Sequence, residues 1–72
     1  MTKEYAVVYE EGPNNWSAYS PDVPGCVATG KTFEATETLF RDALAFHLRG
    51  LAEDGDPIPE PHTRAGMVTI AA

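Results

Sequence analysis

Side chains alternate in size from Tyr5 to Glu10: Tyr5, Val7 and Tyr9 on one side, Ala6, Val8 and Glu10 on the other. That period of two predicts a β-strand over Tyr5–Tyr9. Glu11-Gly12-Pro13-Asn14-Asn15 is a dense turn signal, so the next strand is expected to return as a hairpin. In that strand Trp16, Ala18 and Ser20 share one face, and Ser17 and Tyr19 share the other. Pro21 and Pro24 then fix φ and remove two backbone donors, which forbids a regular ladder through them. Gly25 permits a backbone conformation that other residues resist. A third short strand is predicted over Cys26–Thr29, ended by Gly30.

The period changes after Lys31. Thr32 is an N-cap candidate, because its hydroxyl can accept from an orphan N–H of the first turn. From Phe33 to about Glu53 the apolar positions follow a helical spacing. Phe33, Phe40, Leu44, His47, Leu48 and Leu51 fall within roughly 60° of one direction, the stripe expected to cover the sheet. Asp54-Gly55 is a stop signal and Pro57 forbids continuation. Pro57-Ile58-Pro59-Glu60-Pro61 reads as a stiff extended connector. Gly66-Met67-Val68-Thr69-Ile70-Ala71 reads as a last strand, which needs either the sheet edge or a second subunit beside it. The order β-β-β-α-β predicts an α+β domain: a three-stranded antiparallel meander, one helix on one of its faces, and a C-terminal strand.

A second apolar line runs along the helix. Ala35, Leu39 and Phe46 point about 120–140° away from the core stripe. A two-layer monomer needs only one apolar helix face. A loop or the C-terminal segment would have to cover the second one, or it serves as a subunit or partner contact.

The segment Trp16-Ser17-Ala18-Tyr19, the turn Pro21-Asp22-Val23-Pro24-Gly25-Cys26 and the helix start Gly30-Lys31-Thr32 occur in a specific order and spacing. With Tyr5-Ala6-Val7-Val8-Tyr9 before them, and Asp42-Ala43-Leu44 and Gly55-Asp56-Pro57-Ile58-Pro59-Glu60-Pro61 after, they resemble the HicB family of antitoxins in its short, single-domain form. The resemblance covers nearly the whole chain. It implies a partial ribonuclease-H-like fold. It also implies a partner: a small, basic, mRNA-cleaving toxin of the HicA type with a double-stranded-RNA-binding fold. One position departs from the family pattern. Ala35 stands where an acidic residue would complete a capping box. Glu34 still lies in the first turn, where it favours the helix dipole by about 0.3–1 kcal/mol.

Charge agrees with a protein partner. Eleven acidic residues face five basic ones, a net charge of −6. That repels nucleic acid, whose binding rests on Lys and Arg, and favours a basic protein. Seventy-two residues make one domain at most. A chain of this size buries only about 60% of its unfolded surface, so oligomerisation is a common source of stability. Cys26 has no second cysteine to pair with, as expected of a reducing compartment. No signal peptide or membrane span is legible, so a soluble cytoplasmic protein is expected.

Catalysis finds little support. A two-metal nuclease needs several convergent carboxylates. Glu10, Glu11, Asp22, Glu34, Glu37 and Asp42 show no spacing that would converge them. His47 has no second ligand at helical spacing and reads as a core-margin histidine. His62 lies too far along the chain to pair through a local motif. Cys26 reads as a small buried residue, and no cofactor motif is present. The expectation is an interaction domain and not an enzyme. It is an antitoxin-like inhibitor of a HicA-like toxin and a homo-oligomer, without membrane contact or nucleic-acid binding of its own. No helix or basic stripe follows Ile70 that would supply a DNA-binding domain. The residues expected at the partner or subunit contact are Trp16, Glu34, Glu37, Leu39, Asp42 and Phe46. The acids would meet toxin Lys and Arg, and Leu39, Phe46 or Trp16 would act as the apolar anchor. The alternative is a homo-oligomeric regulatory or ligand-binding domain without a toxin. The least favoured reading is a nuclease that depends on Glu10 or Asp22.

Overall fold

The computed structural model describes residues 2–72. Three strands, β1 (Val8–Glu11), β2 (Trp16–Tyr19) and β3 (Val27–Gly30), form an antiparallel meander in the order β1-β2-β3. One helix, α1 (Phe33–Glu53), lies across it. The fold is α+β, and its helix has the limits that the apolar period predicts. The first strand is shifted: its ladder begins at Val8 and reaches Glu11, not Tyr5 to Tyr9. Pairing decides this, because Val8–Glu11 lies opposite Tyr19–Trp16 across the Gly12–Asn15 turn. The third strand runs through Gly30, which pairs with Trp16.

The register sorts side chains into rows across the sheet. Tyr9–Ala18–Ala28 and Glu11–Trp16–Gly30 lie on the helix side; Val8–Tyr19–Val27 and Glu10–Ser17–Thr29 lie on the open side. The buried apolar core is small: Ala18, Val23, Cys26 and Phe40. Tyr5, Val7, Tyr9, Ala28, Ala43, Leu44 and Leu48 surround it, partly covered. Phe33 closes one end. Its ring centroid lies 4.7 Å from that of Tyr9 and 5.5 Å from that of Trp16, both in tilted or edge-on geometry.

The helix ends follow the local chemistry. Thr32 caps the start: its side-chain oxygen accepts from the Ala35 N–H at 3.0 Å. The Thr36 hydroxyl donates to the Thr32 carbonyl at 2.7 Å, so a second hydroxyl reinforces the turn where the capping-box acid is missing. At the other end the Asp56 N–H donates to Leu51 O and the Gly55 N–H to Ala52 O, with Gly55 at φ 74°. This is the bonding of a Schellman stop, which favours glycine at that position.

Helix and sheet meet most closely at Gly30. A Cβ there would stand 2.6 Å from the Thr36 hydroxyl oxygen and 3.0 Å from the Thr36 backbone nitrogen. Glycine at Gly30 lets the first turn of α1 sit directly on β3.

The expected last strand does not form within the chain. Residues 56–72 make no ladder with the sheet, and Met67, Val68 and Ile70 are exposed by 98%, 82% and 73%. The reason lies just upstream, where the chain is tied down. The Tyr5 hydroxyl donates to the Pro59 carbonyl at 2.6 Å, Lys3 pairs with Glu60 at 2.8 Å, and Asp22 holds His62 and Thr63. Beyond Thr63 every residue is exposed.

Gly30→Ala is expected to destabilise the fold by about 1–3 kcal/mol through overpacking against Thr36. Gly50 has open space around its Cβ position. Gly50→Ala, inside the helix, is expected to stabilise by about 0.5–1 kcal/mol. Urea unfolding of both variants beside the parent protein checks the opposite signs.

Candidate interaction surface

Asp22 sits in the proline turn with its side chain 3% exposed. Its Oδ2 accepts from the backbone N–H of His62 at 3.1 Å and of Thr63 at 2.9 Å; its Oδ1 accepts from the Thr63 hydroxyl at 2.7 Å. The His62 ring Nδ1 lies 3.3 Å from Oδ1. The Thr63 hydroxyl bond and the two backbone N–H bonds, helped by the nearby imidazole, hold this carboxyl below its ordinary value of 3.8, against the opposing effect of burial. Asp22 is thus a structural anchor, with its acceptor positions committed to residues 62–63. Sequence reading treated it only as a member of an unconvergent carboxylate set and gave His62 no partner. The 40-residue separation hides the contact, and only the buried position of an acid beside Val23 points to it.

The acids do not gather. Among the described residues no three His, Cys, Asp or Glu side chains group as metal ligands. The Cys26 thiol is buried, and burial pushes its pKa up, away from the thiolate a nucleophile needs. His47 is half-buried on the core stripe, as its spacing predicts.

The six expected contact residues separate into four places. Trp16 is half-buried on the helix side of the sheet, edge-on to Phe33. Glu37 flanks β1: with Val7, Tyr9, Arg41 and Leu44 it lines an open pocket of about 220 Å³ between strand and helix. Burial, reinforced by the negative charge of Glu37, pushes the Tyr9 phenol pKa up. Glu34 is exposed in the first turn. At about 100° per residue, Leu39, Asp42 and Phe46 lie within roughly 60° of one another on the opposite flank. Thr36, seated over Gly30 of β3, shows that this is the β3 side.

That flank is apolar and open. Leu39 is 49% exposed and Phe46 71%. The Arg49 guanidinium lies 5.9 Å from the Phe46 ring centroid, a cation–π distance, and Asp42 is exposed beside it. Neither a loop nor the C-terminal segment covers it. The open face of the sheet adds Tyr19 and Val27, cross-strand partners exposed by 41% and 69%. Sequence analysis had placed Tyr19 on this face but had not counted either residue as a contact.

The family pattern described as the HicB-like antitoxin of bacterial toxin-antitoxin systems matches residues 5–70. The chain belongs to this family. The chain is also similar to a protein described as an uncharacterized 14.9 kDa protein in the rep-hol intergenic region of Haemophilus phage HP1 (strain HP1c1). It is 30% identical over 56 residues, which cover 78% of this chain and 42% of the phage protein. The HicB-like chain therefore matches less than half the length of that relative. No solved structure matches, so the ribonuclease-H likeness rests on the family resemblance alone. Among the described residues of this HicB-like domain, no helix is long and apolar enough to cross a membrane.

The Asp22 anchor has a definite pH dependence. A carboxyl whose folded pKa is lowered holds its partners fully above its ordinary pKa and releases them as pH falls through the lowered value. The Asp22 carboxyl carbon signal is expected in NMR to stay that of the ionised form through the ordinary carboxylate range and to shift only below it. In Asp22→Asn, where an NH₂ replaces one acceptor oxygen, the His62 and Thr63 amide signals should differ from those of the parent protein at every pH. An Asp22 carboxyl that titrates at or above the ordinary range would contradict the anchor.

Proposed function

We propose that this domain inhibits a small, basic, HicA-type mRNA-cleaving toxin by docking on it through the Leu39–Phe46 flank of the helix. Family membership supports a toxin-antitoxin role. The observation that carries the choice of surface is the exposed pair Leu39 and Phe46, two helical turns apart on one line, with the carboxylate of Asp42 beside them. A large aromatic left in water on a small domain is a ready anchor for a partner pocket. The net charge of −6 complements a basic ribonuclease and speeds encounter with it. Glu34 and the rim acids act at that stage, and the apolar pair sets the lifetime of the complex. Inhibition is by coverage of the toxin's RNA-binding surface, with no catalysis by the antitoxin. The setting is the cytoplasm, where the target mRNA is translated and Cys26 stays reduced.

The alternative, a self-associating regulatory domain without a toxin, draws on the same exposed pair. The two readings part on an affinity capture from host lysate at low salt. Recovery of one small basic protein whose RNA cleavage stops when this chain is added supports inhibition. Recovery of the chain alone across several salt concentrations supports the alternative. With the toxin in hand, Phe46→Asp is expected to weaken binding by at least about 30-fold, the scale of an interface hot spot. Asp42→Asn is expected to change mainly the association rate and its salt dependence. Calorimetry and stopped-flow mixing read the two effects separately. An unchanged affinity in Phe46→Asp would place the contact elsewhere.

A further inference from the structure

Two features of the fold lack a partner and fit each other. The first is the arm after Thr63. Met67, Val68 and Ile70 are almost fully in water, although Val68, Thr69 and Ile70 are a β-branched run that suits a strand. The arm cannot be explained as a solvated polar tail, because Arg64 is its only charged side chain. The second is the outer edge of β1. The sheet order leaves β1 paired on one side only. The helix lies over β2 and β3, so beside β1 it leaves the open pocket lined by Val7, Tyr9 and Leu44. Glu37 and Arg41 complete the lining, and an unpaired edge next to such a partly apolar pocket is a template for a strand from elsewhere.

We infer that the segment Gly66–Ala71 is an exchange arm that adds as a strand to the free edge of β1 in a second copy of this chain. Spacing supports the match. Val68 and Ile70 are two residues apart and share a strand face; Val7, just before β1, and Tyr9 are also two apart and both line the pocket beside the helix. Strand addition sets the one pair beside the other and fills the pocket under Leu44. Met67 and Thr69 then fall on the open face, next to the row Val8–Tyr19–Val27. Charge supports it as well. From Pro61 to Ala72 the chain has Arg64 and no acidic side chain, whereas β1 ends in the exposed pair Glu10–Glu11. In a protein of net charge −6 this arm adds no negatively charged side chain for a second copy to repel.

The occupant is a second copy because the chain's own arm makes no ladder with its sheet. Asp22 fixes residues 62–63, and every residue beyond them is exposed. The longest dimension of the molecule is 48 Å, against roughly 32 Å for a 21-residue helix. A two-fold pair in which each arm crosses to the other's β1 satisfies both arms and both edges at once, the closed arrangement of domain exchange. The β1 edge and the Leu39–Phe46 flank lie on opposite sides of the helix, so this inference goes beyond the toxin reading and does not depend on it.

Sedimentation velocity over a dilution series tests it on the full chain. The parent protein is expected to be a dimer. Val68→Asp with Ile70→Asp is expected to raise the dimer dissociation constant at least about tenfold, with unchanged circular dichroism, since both positions are in water in the single chain. Leu39→Asp with Phe46→Asp should leave the dimer intact. A second measurement locates the contact. Chains carrying Thr69→Cys are mixed with chains carrying Glu10→Cys, both with Cys26→Ala, and joined by a short bifunctional maleimide. Exchange predicts a covalent product between the two different chains. A monomeric parent, a dimer indifferent to the arm substitutions, or the absence of a covalent product between the two different chains would each overturn the exchange. Retained toxin binding in the Leu39→Asp, Phe46→Asp variant with an intact dimer would count against the toxin reading alone.

Discussion

One helix covers one face of three strands, and this single layer contact supplies nearly all the burial the chain has. Phe40 is its centre, 1% exposed, seated with Ala18, Val23 and Cys26. Everything else is arranged around the limits of that contact. The helix must approach β3 closely, hence Gly30 under Thr36. Because it sits toward β3, it leaves β1 half-covered. Because there is no second layer, the Val8–Tyr19–Val27 row stays open to water. A domain with so little core leaves apolar surface on three sides, and these are the places where a partner adds stability at small conformational cost.

The proline turn contributes more than a change of direction. Val23 belongs to the core and Asp22, its neighbour, is the anchor of the distant connector. A buried carboxylate is tolerable because the hydrogen bonds it accepts from residues 62–63 replace those lost from water. The turn is rigid, since Pro21 and Pro24 fix φ and Gly25 takes φ 86°. Rigidity at the anchor is transmitted to the connector, where Pro57, Pro59 and Pro61 have little freedom left to lose. The path of the chain as far as Thr63 is therefore well determined, and the arm begins only beyond it.

Most of this architecture was legible in the sequence where the signal is local and periodic. The helix, from the Thr32 cap to the Gly55 stop, follows from apolar spacing and end chemistry, and the meander follows from turn residues. Strand limits were less legible, because Tyr5–Val7 has a strand's alternation but no strand opposite it. The Asp22 anchor was not legible, since nothing in a sequence brings residue 22 to residue 63. The last strand forms no ladder within the chain for a related reason. Its propensity is real, but a strand exists only where a neighbour supplies the other half of the ladder. Among the contact residues, spacing alone placed Leu39 and Phe46 together. It could not separate Trp16 and Glu37 from them, because only the packing of Phe33 and the position of β1 decide where those two side chains lie.

The geometry gives the two sides of the helix different work. The β1 side has an unpaired edge and a pocket, features that accept a strand. The β3 side has a convex apolar flank, which suits a pocket in another protein. In the proposed arrangement a strand exchanged at β1 and a toxin held at the Leu39–Phe46 flank would not compete for the same atoms, so dimerisation would leave both flanks of a pair free. Two toxins could then bind one pair, and each would see the acidic field of two antitoxin chains. That doubling would favour capture of a basic ribonuclease at low concentration without changing any contact at the flank itself. Self-repulsion within such a dimer of net charge −12, twice the −6 of one chain, would be eased where the exchanged segment carries no acid, and the remaining charge would be left for the partner.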